Sequence, residues 1–193
     1  MAQRIATCSF LCDTALISRI IAWRPLIHGF APHRLFFWGG ERMRVIEYFG
    51  SGRQEHWLSQ IGRCDWSAGQ YLHGLLSRDA LSDIAGENPH VLLLADGDEL
   101  VSFCTLTQKD DIQPSGLSPW IGFVYTFPQH RGHRHAGTLL AESERLAAGR
   151  GAEYVYISTD HDGLYETYGY EFFRLMDDVN GEPSRVYRKR VFP

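Results

Sequence analysis

The alternation of apolar and polar positions begins as a strand at residues 44–49, where Val45 and Ile46 lead into Tyr48 and Phe49 before Gly50-Ser51-Gly52 closes the run. Residues 53–61 change to a helical period that sets Trp57, Leu58 and Ile61 on one side. Ser67 reads as the cap of one or two helices over residues 68–85, with Tyr71, Leu72, Leu75 and Leu76 turned inward. Two apolar runs within 90–106 are joined by Asp96-Gly97-Asp98, which predicts a hairpin. A polar loop with two prolines follows over 109–119. Trp120 to Phe127 carry apolar or aromatic side chains on both faces, the mark of a central buried strand. Residues 136–148 return to a helical stripe of Leu139, Leu140, Leu146 and Ala147, ended by Gly149-Arg150-Gly151. A buried strand at 153–159, a short helix at 163–170 closed by Gly169, and a strand pair (171–176 and 184–192) around Asn180-Gly181 complete the order. That order predicts an α/β fold with one mixed sheet covered by helices.

Composition divides the chain. The first 42 residues hold Arg4, Arg19, Arg24, Arg34 and Arg42 against Asp13 and Glu41, a net of +3, which leaves −7 for the remainder of a chain whose total is −4. Asp13 and Arg19 interrupt the apolar stretch there, so it falls short of the ~18–20 residues a membrane helix needs. Residues 1–42 therefore read as a weakly structured extension or a misassigned start, and 43–193 as the domain. The acidic balance argues against nucleic acid as a partner. Cys8, Cys12, Cys64 and Cys104 lack paired spacing and read as reduced thiols, which points to the cytoplasm. The basic segment Arg185, Arg188, Lys189 and Arg190 reads as an edge strand guarded by charge.

The chemistry concentrates in Pro128–Leu140, "PQHRGHRHAGTLL". His130, His133 and His135 lack a carboxylate or thiol within the loop to complete a metal shell, so no metal is expected. A central strand that feeds a glycine turn and then a helix instead leaves backbone N–H groups pointing one way at the positive end of a helix dipole. Gly132, Ala136 and Gly137 keep that surface small, and Arg131 and Arg134 add charge, so the loop suits a diphosphate.

A second segment makes the pattern specific. Arg131-Gly132-His133-Arg134-His135-Ala136 is similar to the R/Q-x-x-G-x-G/A loop, and Leu164-Tyr165-Glu166-Thr167-Tyr168-Gly169-Tyr170 to the later L-Y-x-x-x-G-F/Y helix, of the GNAT superfamily of N-acetyltransferases. Arg134 stands where that family usually has glycine. The resemblance spans residues 43–193 and implies the acyl-CoA N-acyltransferase fold, a mostly antiparallel sheet splayed between its fourth and fifth strands with helices on both faces. It implies acetyl-CoA as co-substrate, its diphosphate on Arg131 to Gly137 (His133 and His135 included) and its pantetheine arm along Val124, Tyr125 and Thr126. The Val124 N–H would face the acetyl carbonyl as oxyanion donor, and Tyr165 would act as general acid toward the departing thiolate. Asp160, His161 and Asp162 are candidates for the base, and the helices around Trp57, Trp66 and Tyr71 for the acceptor pocket. The expected activity is acetyl transfer to a primary amine, small molecule or peptide, by a monomer or homodimer. A catalytically silent CoA-binding module is the alternative.

Overall fold

The computed structural model describes residues 43–112 and 115–192; the expectations for residues 1–42, Cys8 and Cys12 among them, lie outside the described residues. Among the described residues seven strands form one sheet: β1 (Met43–Glu47), β2 (His90–Asp96), β3 (Glu99–Thr107), β4 (Trp120–Thr126), β5 (Tyr154–Thr159), β6 (Glu171–Asp177) and β7 (Pro183–Arg190), in the spatial order β1-β2-β3-β4-β5-β7-β6. Every pairing is antiparallel except β4 with β5. The helices are α1 (Gln54–Ile61), α2 (Ser67–Ser77), α3 (Leu81–Ala85) and α4 (His135–Gly149), and a 3-10 turn spans Tyr165–Tyr168. None is long and apolar enough to cross a membrane among the described residues.

The period-two pattern decides the layers. Val91, Leu93 and Ala95 of β2 pack with Ile61, Leu72 and Leu75 of α1 and α2, while Leu92 and Leu94 pack with Leu139, Leu140 and Ala147 of α4. Each of these side chains loses nearly all its water contact, at roughly 1.5–3 kcal/mol for a leucine or isoleucine. Helices thus cover both faces, as the resemblance implies. The hairpin turn also holds: β2 ends at Asp96, Gly97 takes φ +57°, and β3 starts at Glu99.

One irregularity shapes everything around it. Phe103 of β3 faces Tyr125 and Thr105 faces Gly122, so β4 carries one residue more than its partner between them. Phe123 lies within that bulge at φ +50°, a left-handed value that bulky side chains seldom adopt. In consequence Gly122, Phe123 and Tyr125 all turn toward the α1–α3 face, whereas Ile121 and Val124 stay with α4. The parallel contact of β4 with β5 is a bridge at Trp120 and Tyr156, supported by Tyr156 N–H donating to Pro119 O at 3.0 Å. Past that bridge the two strands part, and a wedge opens at their C-terminal ends.

Three expectations change. Ser67 is the first residue of α2 and caps nothing; Trp66, extended at φ −103° and ψ 129°, holds the cap position, and Gln70 Nε2 ties the preceding turn through Gly62 O at 2.8 Å and Cys64 O at 2.6 Å. Leu146 and Tyr71 are only half-buried. The basic strand β7 is no edge: it lies between β5 and β6, and its charges are matched by Asp162, Glu171, Glu144 and Glu153. Alternating basic residues mark an edge only when no acidic neighbours flank them, and β7 has such neighbours on both sides.

Candidate functional site

The wedge between β4 and β5 meets the start of α4 on one face of the sheet. Arg134 is the residue before the helix, with φ +60° and ψ 27°, and no side chain caps the helix. The first-turn N–H groups of α4 therefore lack the side-chain partner that most helices supply. Gly132 takes φ +82° with nothing within 4 Å of where a Cβ would be, so its glycine serves the backbone conformation and an open surface. Gly137 has a reason that the sequence does not show: a Cβ there would come within 2.7 Å of Tyr168 Cε1, so the bare helix surface admits the Tyr168 ring. Ala136 is likewise buried in the α4 core.

The loop arginines brace the protein. Arg131 Nε donates to Thr126 O at 3.0 Å, and its guanidinium lies over the Tyr125 ring at 5.7 Å. Arg134 reaches across to the 3-10 turn, donating to Thr167 O at 3.2 Å and lying 5.2 Å over Tyr168. Left-handed backbone costs a non-glycine residue roughly 1–2 kcal/mol, and this tether offsets it at the position where glycine was expected. His130 bonds Glu99 Oε1 at 2.9 Å, and the rings of His133 and His135 stand 5.6 Å apart. Burial and the neighbouring His133 and His130 lower the His135 pKa.

Tyr165 is held on the α4 side. Its ring is 2% exposed and packs against Tyr170 and Tyr187 at centroid distances of 5.9 and 6.2 Å. Lys189 Nζ fixes the turn that carries it, donating to Tyr168 O at 2.9 Å and Glu144 Oε2 at 2.8 Å, while Tyr170 donates to Glu144 Oε1 at 2.9 Å. Val124 shares this face of β4, and Tyr125 turns to the other and donates to Asp65 Oδ1 at 2.6 Å.

On the α1–α3 face the wedge opens into a cavity of about 340 Å³. Trp66, Ile84 and Phe123 form an apolar wall, and Thr105, Asp110, Asp111 and Ser158 a polar one. Ser158 Oγ donates to Asp110 Oδ1 at 2.6 Å and, as the weaker arm, to Asp111 Oδ1 at 3.2 Å. Burial and the adjoining Asp110 push the Asp111 pKa up to about 9. The folded state therefore holds a proton that the unfolded chain has released above the ordinary carboxylate range, and stability must fall as pH rises through neutrality toward 9. Asp111→Asn, which needs no proton, is expected to flatten that decline and raise Tm at pH 9 by a few degrees over the parent, as thermal melts from pH 7 to 9 will show.

Of the base candidates, Asp162 Oδ2 is 3.2 Å from Arg185 Nη2, and its Oδ1 accepts from Tyr187 at 3.5 Å. Burial lowers the His161 pKa, and its Nε2 is a buried atom without a hydrogen-bond partner. Neither of these residues nor Asp160 lines the cavity. Trp57 is core, whereas Trp66 is on the cavity wall. The sequence reading missed Asp110 and Asp111; the signal was a pair of carboxylates in the loop that follows an apolar strand, beyond Thr107, which ends it, and the polar Gln108 and Lys109.

The model of the acetyltransferase (GNAT) family matches residues 53–170 of this chain, more than half of its length. No curated protein sequence matches it. Among solved structures, an aminoglycoside 6'-N-acetyltransferase complexed with coenzyme A superposes with a TM-score of 0.59 at 17% identity, covering 78% of this chain and 98% of that one. The aminoglycoside 6'-N-acetyltransferase from Enterococcus faecium gives 0.57 at 16% identity over 78% and 98%, and an acetyltransferase from Streptococcus agalactiae 0.54 at 16% over 77% and 98%. At such identities the likeness is one of fold.

Proposed function

This chain belongs to the acetyltransferase (GNAT) family, and from that membership we propose that it moves an acetyl group from acetyl-CoA to a primary amine by direct attack. The observation that carries the reading is the wedge between β4 and β5, with the uncapped start of α4 on the side where Val124 and Tyr165 lie. The residues present fit the co-substrate: an uncapped helix start beside a positive-φ glycine in open space is a cradle for a diphosphate. Acetyl-CoA supplies an activated thioester.

Each residue then has a task. Within the arc from Arg131 through Gly137 the amides from Gly132 through Ala136, those of His133 and His135 included, bind the diphosphate, while the Arg131 and Gly137 N–H groups donate to Pro128 O at 3.3 Å and Arg134 O at 2.9 Å and hold the arc in shape. Val124, Tyr125 and Thr126 border the pantetheine arm along the side of β4 that faces the wedge. The Val124 N–H is the donor toward the carbonyl oxygen, where negative charge grows during attack and a fixed dipole stabilises it. Tyr165 protonates the departing thiolate.

Calorimetry with acetyl-CoA and thiol release with a panel of primary amines test the reading together. Gly132→Val, which forces a β-branched residue to φ +82°, is expected to weaken acetyl-CoA binding at least about tenfold through roughly 1–2 kcal/mol of backbone strain and a displaced amide. Binding without turnover of any amine would favour a silent CoA-binding module, and no binding would end the proposal.

A further inference from the structure

The cavity on the α1–α3 face holds a feature that packing alone does not explain. Thr105 is 0% exposed, yet its Oγ1 is buried without a hydrogen-bond partner, and Thr105 lines the cavity. A buried hydroxyl left unbonded costs stability, so its retention points to a partner that arrives from outside. Opposite it, Gly122 leaves a space whose filling by a Cβ would bring that atom to 3.3 Å from Thr105 Oγ1 and 3.4 Å from Asp110 Oδ2. Gly122 and Ser158 each stand two residues past the Trp120–Tyr156 bridge, where the wedge begins. Whatever sits there reaches the wedge from the face opposite α4.

The chemistry of the walls selects the occupant. Asp110 and Asp111 share hydrogen bonds with each other and with Ser158, so the pair carries about one negative charge and balances one cation. Asp83 and Lys109 also line the cavity with opposite charges, and Asp178 acts on Asp111 from the end of β6. Apart from Thr107, the rest of the wall is apolar, with Trp66, Ile84, Phe123 and Val179 its larger side chains. At about 340 Å³ the space is at the small end for ligand sites, which run from about 300 to 1,000 Å³.

Resting on the acetyl-transfer reading, we propose that this cavity is the acceptor subsite and that it takes a primary monoamine on a compact apolar body, its ammonium group lodged against the Asp110–Asp111 pair, Ser158 and Thr105 Oγ1. The ammonium gives one proton to Asp110. The freed nitrogen lone pair forms the C–N bond with the acetyl carbonyl carbon, and the C–S bond breaks with its electron pair on sulfur. The second nitrogen proton passes to that sulfur through the Tyr165 phenol, and Asp110 returns its own to water. Ammonium and thioester thus become amide, thiol and one released proton.

The test measures thiol release by the full chain with acetyl-CoA and either 2-phenylethylamine or the bulky polycation kanamycin, alongside calorimetry with acetyl-CoA. The parent protein is expected to prefer 2-phenylethylamine by at least about tenfold in kcat/KM. Asp110→Asn is expected to lower that value about 100-fold, and Thr105→Val to raise the amine KM about fivefold to tenfold without lowering Tm, both with acetyl-CoA Kd within twofold of the parent. Should Asp110→Asn not fold, Thr105→Val decides. A protein that binds acetyl-CoA but prefers kanamycin or acetylates neither amine, or variants within twofold of the parent toward 2-phenylethylamine, overturns the subsite and leaves co-substrate binding standing. Loss of acetyl-CoA binding by the parent itself overturns the acetyl-transfer reading beneath it.

Discussion

Tyr165→Phe is expected to lower kcat by about 10²-fold or more, within the roughly 10²–10⁴ that a positioned acid contributes, while acetyl-CoA Kd stays within twofold. The substitution is clean because the ring does the packing. It is 2% exposed and lies between Tyr170 and Tyr187 in the cluster that also holds Leu139, Leu140 and Val124. Phenylalanine keeps those contacts and removes a single buried hydroxyl, so Tm should fall by no more than about 2–4 °C, the loss of one hydrogen bond. The cradle proposed for the co-substrate lies elsewhere, at the loop before α4, which is why binding and turnover should separate. Rapid-quench kinetics and calorimetry on the same preparation check both halves. A variant with full kcat would leave Tyr165 a core aromatic and nothing more, and one that loses acetyl-CoA affinity would make it part of the binding surface.

The residues that a reader of the sequence can place are those whose role is local. The strand-turn-helix around Gly132 follows from a glycine, a run of apolar residues before it and a helical stripe after it, and the fold keeps all three. The layers follow because β2 alternates without a break across two cores, and β3 does so on either side of a bulge at Val101. The acidic pair is different. Asp110 and Asp111 become a site only through Ser158, 48 and 47 residues away, and through a bulge at Phe123 that brings Gly122 to the same face. A bulge is a property of the register between two strands, and the sequence of β4 alone carries no count of the residues opposite it. Gly137 has a contact hidden for the same cause: the ring that a Cβ there would meet is that of Tyr168, beyond the next strand. Likewise β7 reads as an edge until β6 and β5 are known to flank it.

Gly69→Ala is expected to destabilise the protein by about 1–3 kcal/mol, the usual cost of forcing a methyl into a filled core, even though alanine favours a helix by roughly 1 kcal/mol over glycine. Gly69 lies in the first turns of α2, and a Cβ there would run into Cys64 Sγ and come within 3.2 Å of Phe103 Cζ. Neither neighbour has room to yield. Cys64 is 3% exposed in the turn that Gln70 ties down, and Phe103 is 0% exposed in the middle of β3. Relief has to come from α2 lifting off the sheet, and α2 begins with the residues that wall the cavity, Trp66 before it and Ala68 within it. Urea titration should show a lower midpoint with an unchanged slope, and the KM for the amine should rise while acetyl-CoA Kd holds, because the loop before α4 sits on the other face of the sheet. An unchanged midpoint would mean that α2 stands farther from β3 than described, and equal losses of amine and acetyl-CoA binding would mean that the two faces do not hold separate substrates.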